Sequence, residues 1–397
     1  MQNDKSLRLI YLLSTIGFFG IFSTTISKSP VLPLFIKALG GNDAIIGLIS
    51  AISPLAGIIF SFPVGLLSDR IGPRKLLITS ALVFFISPLL YLFVTNPWLL
   101  IPVRFFHGLA TAILGPIAAM MIFSQYKSTK GEKIGLYSSA TLIGRTIAPL
   151  AGGAILSYFA LSGGLLSYRL VYIIAFAASI PVLVLAFTLT EDKKAKGNML
   201  TLSAYATSLA TFIGDGKLLA TALVEMATYF AFGVFETYLP IFLVTKHFPA
   251  YQIGLIFSLQ ILSIALTKPI FGKIADRADK RLQILVGIVA IGICLALVPF
   301  GSSLAFFIVL GLAFGLAMSF STVATGTYVA DIAKDKELGA SIGALSSIMD
   351  IGQSSGPFIT GIIITSFGFI YGFAASFATA IAVSGWFVVA TFIAPHR

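Results

Sequence analysis

Ionisable and polar side chains lie inside long apolar stretches of this sequence, where they could bind protons, ions or polar solutes. The positions concerned are Lys28, Arg104, His107, Arg145, Glu225, Glu236, Asp350 and Gln353. If such a stretch crosses a bilayer, a charged side chain at its centre costs about 2.5–3.5 kcal/mol on insertion scales. Each charge is therefore expected to face a water-filled cavity or a partner of opposite charge, and together these positions form one predicted polar cavity.

The depth of each charge within its stretch leaves different alternatives open. Arg145 and Asp350 lie near the middle of their stretches, which is too deep for easy extension to the surface and favours a cavity. The long side chains of Lys28 and Arg104 could instead extend to the membrane surface.

Two kinds of chemistry are open to the predicted cavity. A buried carboxylate could take up and release a proton in competition with a solute, and the candidates are Asp350, Glu225 and Glu236. An anionic or zwitterionic solute would instead be bound by the cations, which are Lys28, Arg104 and Arg145.

The composition predicts an all-α membrane protein. Of 397 residues, 57% are hydrophobic and 10% are charged, with a mean hydropathy of +1.00. Soluble domains carry about 25% charged residues. Lipid cannot satisfy backbone N–H and C=O groups, so an apolar stretch that crosses a bilayer core of about 30 Å must be helical. Twelve spans are predicted, at 8–38, 44–67, 76–95, 97–123, 133–159, 166–189, 217–245, 251–272, 282–299, 302–329, 337–366 and 369–393.

Lysine and arginine predict the orientation of these spans. With a cytoplasmic N-terminus, 19 of the 26 lysines and arginines fall in predicted cytoplasmic segments. The remaining ones are Lys28, Lys37, Arg104, Arg145, Arg169, Lys246 and Lys268. By the positive-inside rule both termini are expected to be cytoplasmic. This distribution also accounts for the net charge of +11 without any nucleic-acid partner.

The two halves of the sequence are copies of each other. Adding 207 takes Leu32-Pro33-Leu34-Phe35 to Leu239-Pro240-Ile241-Phe242 and Asp69-Arg70 to Asp276-Arg277. After one inserted residue the shift is 208, which takes Pro149 to Pro357. The predicted domains are a six-helix bundle at 1–190, a cytoplasmic linker at 191–216 that could hold a short interfacial helix, and a second bundle at 217–397. Parallel repeats of this kind place a substrate site between the halves.

A loop motif after the second span resembles the signature G-x-L-x-D-R-x-G-R-R/K of the major facilitator superfamily (MFS), and a weaker copy follows the eighth span. The matching residues are Gly65, Asp69, Arg70, Gly72 and Arg74, with Gly272, Asp276 and Arg277 in the copy. The resemblance implies two six-helix bundles and a cytoplasmic gate between the halves. The alternative is a positively charged turn without a gating role.

Two further motifs resemble the drug:proton antiporter branch of the same superfamily. Arg104 to Gly108 is similar to R-x-x-Q-G, with His107 in place of glutamine, and the family links that arginine to proton coupling. The fifth span is similar to G-x-x-x-G-P-x-x-G-G, with Ala148 for its second glycine, through Gly144, Pro149, Gly152 and Gly153. The alternative for this motif is a face of small residues that packs helices closely.

The resemblance implies a secondary transporter in the plasma membrane that works by alternating access. The expected function is proton-coupled efflux of small amphipathic or organic compounds, with a small-molecule substrate, a proton and the bilayer as partners and a monomeric state. Symport or facilitated uptake of an organic anion, sugar or other nutrient is the first alternative, and a non-transporting sensor or scaffold is the second. The sequence has no phosphate-binding loop and no Cys/His metal cluster, so neither enzymatic activity nor a cofactor is expected.

Overall fold

The structure, a computed structural model, describes residues 2–126, 129–160, 163–189, 214–332 and 338–393, without side chains at 2–6, 61–63, 65–66, 69–70 and 338–344. The helices are α1 (Gln2–Ile26), α2 (Val31–Ala38), α3 (Asp43–Ile71), α4 (Pro73–Leu92), α5 (Leu100–Gln125), α6 (Lys130–Tyr158), α7 (Leu166–Thr188), α8 (Gly216–Thr245), α9 (Ala250–Ala275), α10 (Lys280–Leu297), α11 (Leu304–Ile332), α12 (Leu338–Phe367) and α13 (Phe369–Val388). Within those ranges the chain contains no β-strand.

The predicted all-α membrane architecture is confirmed. Eleven stretches of the described chain are long and apolar enough to cross a membrane. A further helix, α12, has 30 residues and would span about 45 Å at 1.5 Å per residue. The helix bounds fall within a few residues of the predicted spans.

The first span differs from its prediction because it is interrupted. The apolar pattern predicted one continuous span at 8–38, whereas α1 ends at Ile26 and α2 begins at Val31. Pro30 lacks a backbone N–H, which disfavours a helix continuing through this point. Residues 27–30 form a turn that carries Lys28.

The chain divides into two compact units. The first comprises Met1–Gly41, Ile52–Met199 and Pro249–Ser258, and the second comprises Asn42–Ala51, Leu200–Phe248 and Leu259–Arg397. The first turns of α3 therefore belong to the second unit, and the first turns of α9 to the first. The predicted domain boundaries at 190 and 217 stay a prediction. Most of the predicted linker, with its interfacial helix, lies outside the described residues.

Each unit has its own apolar core. In the first unit, buried side chains of α1, α4, α5 and α7 pack together, including Leu13, Phe84, Ile117 and Val182. In the second unit, α8, α10, α11 and α13 contribute Val224, Ile288, Ala324 and Phe387. These cores hold in place the polar side chains that face inward from the same helices.

Candidate functional site

Glu225 is a buried carboxylate in α8 of the second unit. Its side chain is 6% exposed, and Ala220, Val224 and Ala227 of the same helix are buried in the apolar core. The hydroxyl of Thr325, in α11, donates a hydrogen bond to Glu225 Oε2 over 2.5 Å. Lys268 of α9 lies within electrostatic range. Glu225 thus accepts a hydrogen bond from one hydroxyl group, in a largely apolar setting with Lys268 within electrostatic range.

Thr325 has one hydroxyl proton and two acceptors within reach. Besides Glu225 Oε2, the main-chain oxygen of Thr322 lies 3.0 Å from Thr325 Oγ1. If Glu225 is ionised, the Thr325 proton serves the carboxylate and cannot also serve Thr322. If Glu225 carries a proton, it can donate to Thr325 Oγ1, and Thr325 can then donate to Thr322. The arrangement therefore accommodates a protonated carboxyl group with every contact satisfied.

A second buried polar group, the Arg104 cluster, consists of Tyr91, Arg104, His107 and Tyr172 in the first unit. None of these side chains is more than 1% exposed. Tyr91 of α4 and Tyr172 of α7 stack with ring centroids 4.3 Å apart, and the Tyr91 hydroxyl lies 3.3 Å from His107 Nδ1. Arg104, one helical turn before His107 in α5, interacts with the Tyr91 hydroxyl. The sequence predicts that Arg104 and His107 line one polar cavity, and the structure brings these two residues together with the two tyrosines.

The remaining residues of the predicted polar cavity are less buried. Lys28, in the turn between α1 and α2, is half-buried. Arg145 is exposed on α6, beside the buried Gly144. Three further side chains of the second unit are half-buried, namely Glu236, Asp350 and Gln353. The assignment of all these residues to one cavity stays a prediction.

The first copy of the gate motif joins two helices of its own unit. Gly72 has a φ of +89°, a left-handed conformation that favours glycine, and Pro73 begins α4 directly after it. Arg74 Nη2 donates to the main-chain oxygen of Phe187 over 3.3 Å, in the last turn of α7. The side chains of Asp69 and Arg70 and the surroundings of Gly65 lie outside the described part of the chain. The described part of this motif therefore caps a helix end.

The second copy of the motif makes the equivalent contact. Gly272 lies near the end of α9, and Asp276 and Arg277 form the turn that follows it. Arg281 then donates from Nη1 to the main-chain oxygen of Thr391 over 3.0 Å, beyond the end of α13. Because 281 − 74 = 207, Arg281 is the repeat equivalent of Arg74. The gating role predicted for both copies stays a prediction.

The antiporter-like motif lies where helices approach closely. A methyl group added at Gly144 would sit 2.5 Å from the main-chain oxygen of Phe18, so α6 packs directly against the α1 backbone. At Gly152 it would sit 3.0 Å from the Val31 side chain. At Gly153 it would overlap the main-chain oxygen of Ala250, and the carbonyl of Pro149 faces Gly254 in the same way. These contacts account for the small residues of the motif by packing.

Sequence reasoning missed Tyr91, Tyr172 and Thr325. Aromatic and hydroxyl side chains are common in apolar spans, so no signal in the sequence separates these three from residues that only pack. Among the described residues, no group of three or more His, Cys, Asp or Glu side chains could hold a metal ion.

The sequence of this chain matches a known protein family. The sequence model of the Major Facilitator Superfamily matches residues 12–287 and 221–397. An uncharacterized MFS-type transporter of Methanocaldococcus jannaschii is 24% identical over 362 residues, which cover 89% of this chain and 92% of the relative. The multidrug resistance protein MdtG of Salmonella arizonae is 25% identical over 366 residues, covering 89% of each protein.

Solved structures share the fold. A variant of the nucleoside transporter NupG superposes with a TM-score of 0.81 at 14% identity, covering 96% of this chain and 100% of the other. A bacterial homolog of the human lysosomal transporter Spinster gives a TM-score of 0.76 at 16% identity, covering 97% and 96%. The chain is therefore a multi-pass membrane transporter that belongs to the Major Facilitator Superfamily.

Proposed function

We propose that this transporter exports small amphipathic or organic compounds across the cell membrane in exchange for protons, by alternating access. The proposal is supported by the similarity to MdtG, a multidrug resistance protein, over 89% of both chains. The observation that carries it is the buried pair of Glu225 and Thr325, with an oxygen–oxygen distance of 2.5 Å.

Glu225 is suited to exchange a proton for a cationic group. Removing its proton leaves a negative charge in a largely apolar setting, with Lys268 within electrostatic range, so the ionised state is stabilised further when a substrate cation approaches. A cationic or amphipathic substrate supplies such a charge, so its binding and the loss of the proton favour each other. Once the substrate has left, a proton returns and restores the contact between Glu225, Thr325 and Thr322.

The experiment measures protons released by the purified protein on addition of substrate. The protein, in lightly buffered detergent with a pH indicator, receives in turn a lipophilic cation, a neutral drug, a sugar and an organic anion. We expect release of about one proton per protein with the lipophilic cation. Binding of an organic anion without release, or with proton uptake, would contradict exchange and favour the symport alternative.

Variants then identify the carboxylate that carries the proton. Glu225→Gln keeps the shape of the side chain but cannot ionise. It should therefore release no proton on addition of the lipophilic cation and should bind that cation more weakly than the wild type. Glu236→Gln, in the same helix but half-buried, is the matched control and should release protons like the wild type. Proton release that persists in Glu225→Gln and disappears in Glu236→Gln or Asp350→Asn would move the proton to one of those residues.

A further inference from the structure

Arg104 presents a buried positive charge whose hydrogen-bonding capacity is incompletely used. Its side chain is 1% exposed, and its Nε and Nη2 atoms have no hydrogen-bond partner among the residues that the structure describes. A buried ion without a partner of opposite charge is strongly unfavourable. The buried guanidinium of Arg104 would therefore be stabilised by an anionic group that accepts hydrogen bonds from Nε and Nη2.

The remaining atoms of the Arg104 cluster add unused donors and no negative charge. Arginine only donates, so the Tyr91 oxygen accepts from Arg104, and the single Tyr91 proton then goes to His107 Nδ1. A neutral His107 consequently carries its hydrogen on Nε2, an atom that also lacks a partner in the described chain. The hydroxyl of Tyr172 is unpartnered there too. The cluster thus combines one positive charge with several unused donors.

The two unused nitrogen atoms of Arg104 lie on one edge of the guanidinium plane. The N–H bonds of Nε and Nη2 point in the same direction from that edge, which is the geometry in which arginine binds both oxygens of a carboxylate. A halide ion can accept from the same two donors. The chemistry common to both ligands is a compact anionic group of single charge.

We propose that the Nε–Nη2 edge of Arg104 is a binding site for a small anionic group, either a free halide ion or the carboxylate of an organic solute. Because both nitrogen atoms are fully buried, side chains around them must shift before the anion can enter. The site lies in the first unit and Glu225 lies in the second. Its test uses equilibrium binding without proton release, so its failure is distinguishable from failure of proton exchange.

The test follows the melting temperature of the purified full-length protein as the anion is varied. Ionic strength is held constant with 2-(N-morpholino)ethanesulfonate, a bulky anion that does not fit an enclosed guanidinium edge. Chloride, acetate and hexanoate are each titrated against it. A ligand that binds only the folded protein raises the melting temperature in a saturable manner. Saturation with chloride and acetate identifies a free small anion, and saturation with hexanoate alone identifies the carboxylate of a larger solute.

Three variants assign the effect to Arg104. Arg104→Gln removes the charge and should weaken the apparent affinity about 10- to 100-fold, as expected for hydrogen bonds to a charged group. Arg104→Lys keeps the charge without the paired N–H bonds and should weaken carboxylate binding more than chloride binding. Arg169→Gln is the matched control, because Arg169 is exposed at the start of α7, and it should bind like the wild type.

Two outcomes overturn the proposal. The first is a wild-type melting temperature that does not depend on any of the three anions, which would mean that no anion binds in the Arg104 cluster. The second is an anion dependence that persists unchanged in Arg104→Gln. If Arg104→Gln cannot be purified, equilibrium dialysis of radiolabelled chloride and acetate against the wild type and Arg104→Lys decides between the same results.

Discussion

Arg74 and Arg281, at equivalent positions of the two repeats, make the same kind of contact. Arg74 belongs to the first copy of the loop motif, and Arg281 is its equivalent after the second copy. Each donates to a main-chain oxygen at or just beyond the end of the last helix of its own unit, Phe187 in one case and Thr391 in the other. The last carbonyl groups of a helix have no partner within it, and that end carries a partial negative charge. An arginine at the helix end donates to one of these carbonyl groups and lies close to the partial negative charge. The presence of an arginine at both repeat-equivalent positions thus has a local electrostatic reason.

Replacing Asp279 tests how much its ion pair with Arg281 contributes to stability. Its carboxylate accepts from the backbone N–H of Arg281 and from Arg281 Nη2, at 2.9 and 2.7 Å. Asp279→Asn keeps the helix cap, because asparagine caps as well as aspartate, but removes the ion pair. Both side chains are partly exposed, so we expect a loss of less than about 1 kcal/mol in the free energy of unfolding at neutral pH.

The effect of Asp279→Asn depends on pH in a defined direction. The hydrogen bond from the Arg281 side chain holds the pKa of Asp279 below its ordinary value. Its stabilisation is therefore complete above the unfolded pKa of about 3.9 and is lost as the pH falls through the lower folded value. Unfolding of both proteins in detergent across this range should show the difference shrinking toward acid. A difference that grows toward acid would contradict the assignment.

The sequence indicated the charged members of the candidate sites but not their neutral partners. Glu225 and Arg104 were predictable because a charge within an apolar span is costly and rare. Thr325 and Tyr172 were not, because their types are ordinary in spans and only packing brings them within reach of the charges. Arg145 shows that depth along a span is not sufficient. Its position near the middle of the span favoured a cavity, but depth does not determine which face of α6 a side chain occupies.

At the scale of helices, close approach is controlled by single glycines. In α10, a methyl group added at Gly287 would lie 2.7 Å from the Ser321 Cβ and 2.9 Å from its Cα, so α10 and α11 would have to separate. We expect Gly287→Ala to lower the free energy of unfolding by about 1–3 kcal/mol, the usual cost of overpacking.

Gly326 provides the matched control for Gly287. It lies within α11, and no atom would come within 4 Å of an added methyl group. Gly326→Ala should therefore raise stability by up to about 1 kcal/mol, because alanine favours the helix over the unfolded chain. Thermal unfolding of both variants in the same detergent compares them. A loss in Gly326→Ala as large as that in Gly287→Ala would contradict contact with α11 as the cause of the loss at Gly287.

The interruption of the first span shows what apolar periodicity cannot predict. The stretch from Ile10 to Leu39 is apolar enough to read as one helix, yet the chain turns at residues 27–30. Proline within a membrane helix is tolerated when neighbouring groups satisfy the freed backbone. Whether Pro30 ends the helix is therefore decided by its tertiary surroundings. The remaining span boundaries were predictable because length and hydropathy alone set them.

At the scale of the whole molecule, the repeat predicts contacts as well as helices. In the first unit the carbonyl of Pro149 faces Gly254, and in the second the carbonyl of Pro357 faces Gly47, at repeat-equivalent positions. The two units differ at the position of Tyr238. Tyr238 donates its hydroxyl proton to the main-chain oxygens of Pro357 and Asp43, at 2.7 and 3.0 Å, whereas its counterpart is Val31. The sequence repeat therefore predicts the close contacts between glycine and the proline carbonyl in both units, but not the hydrogen bonds of Tyr238.

The orientation of the chain in the membrane is a property of the whole molecule, and the distribution of lysine and arginine predicts it. The native cysteine, Cys294, is buried, and Cys294→Ala provides a background without thiols. Ser302→Cys places a thiol between α10 and α11, and Lys130→Cys places one at the start of α6; both positions are exposed. A membrane-impermeant maleimide should label Ser302→Cys in intact cells and Lys130→Cys only after permeabilisation. The reverse pattern would place both termini outside the cytoplasm, and labelling of both in intact cells would contradict the span count between them.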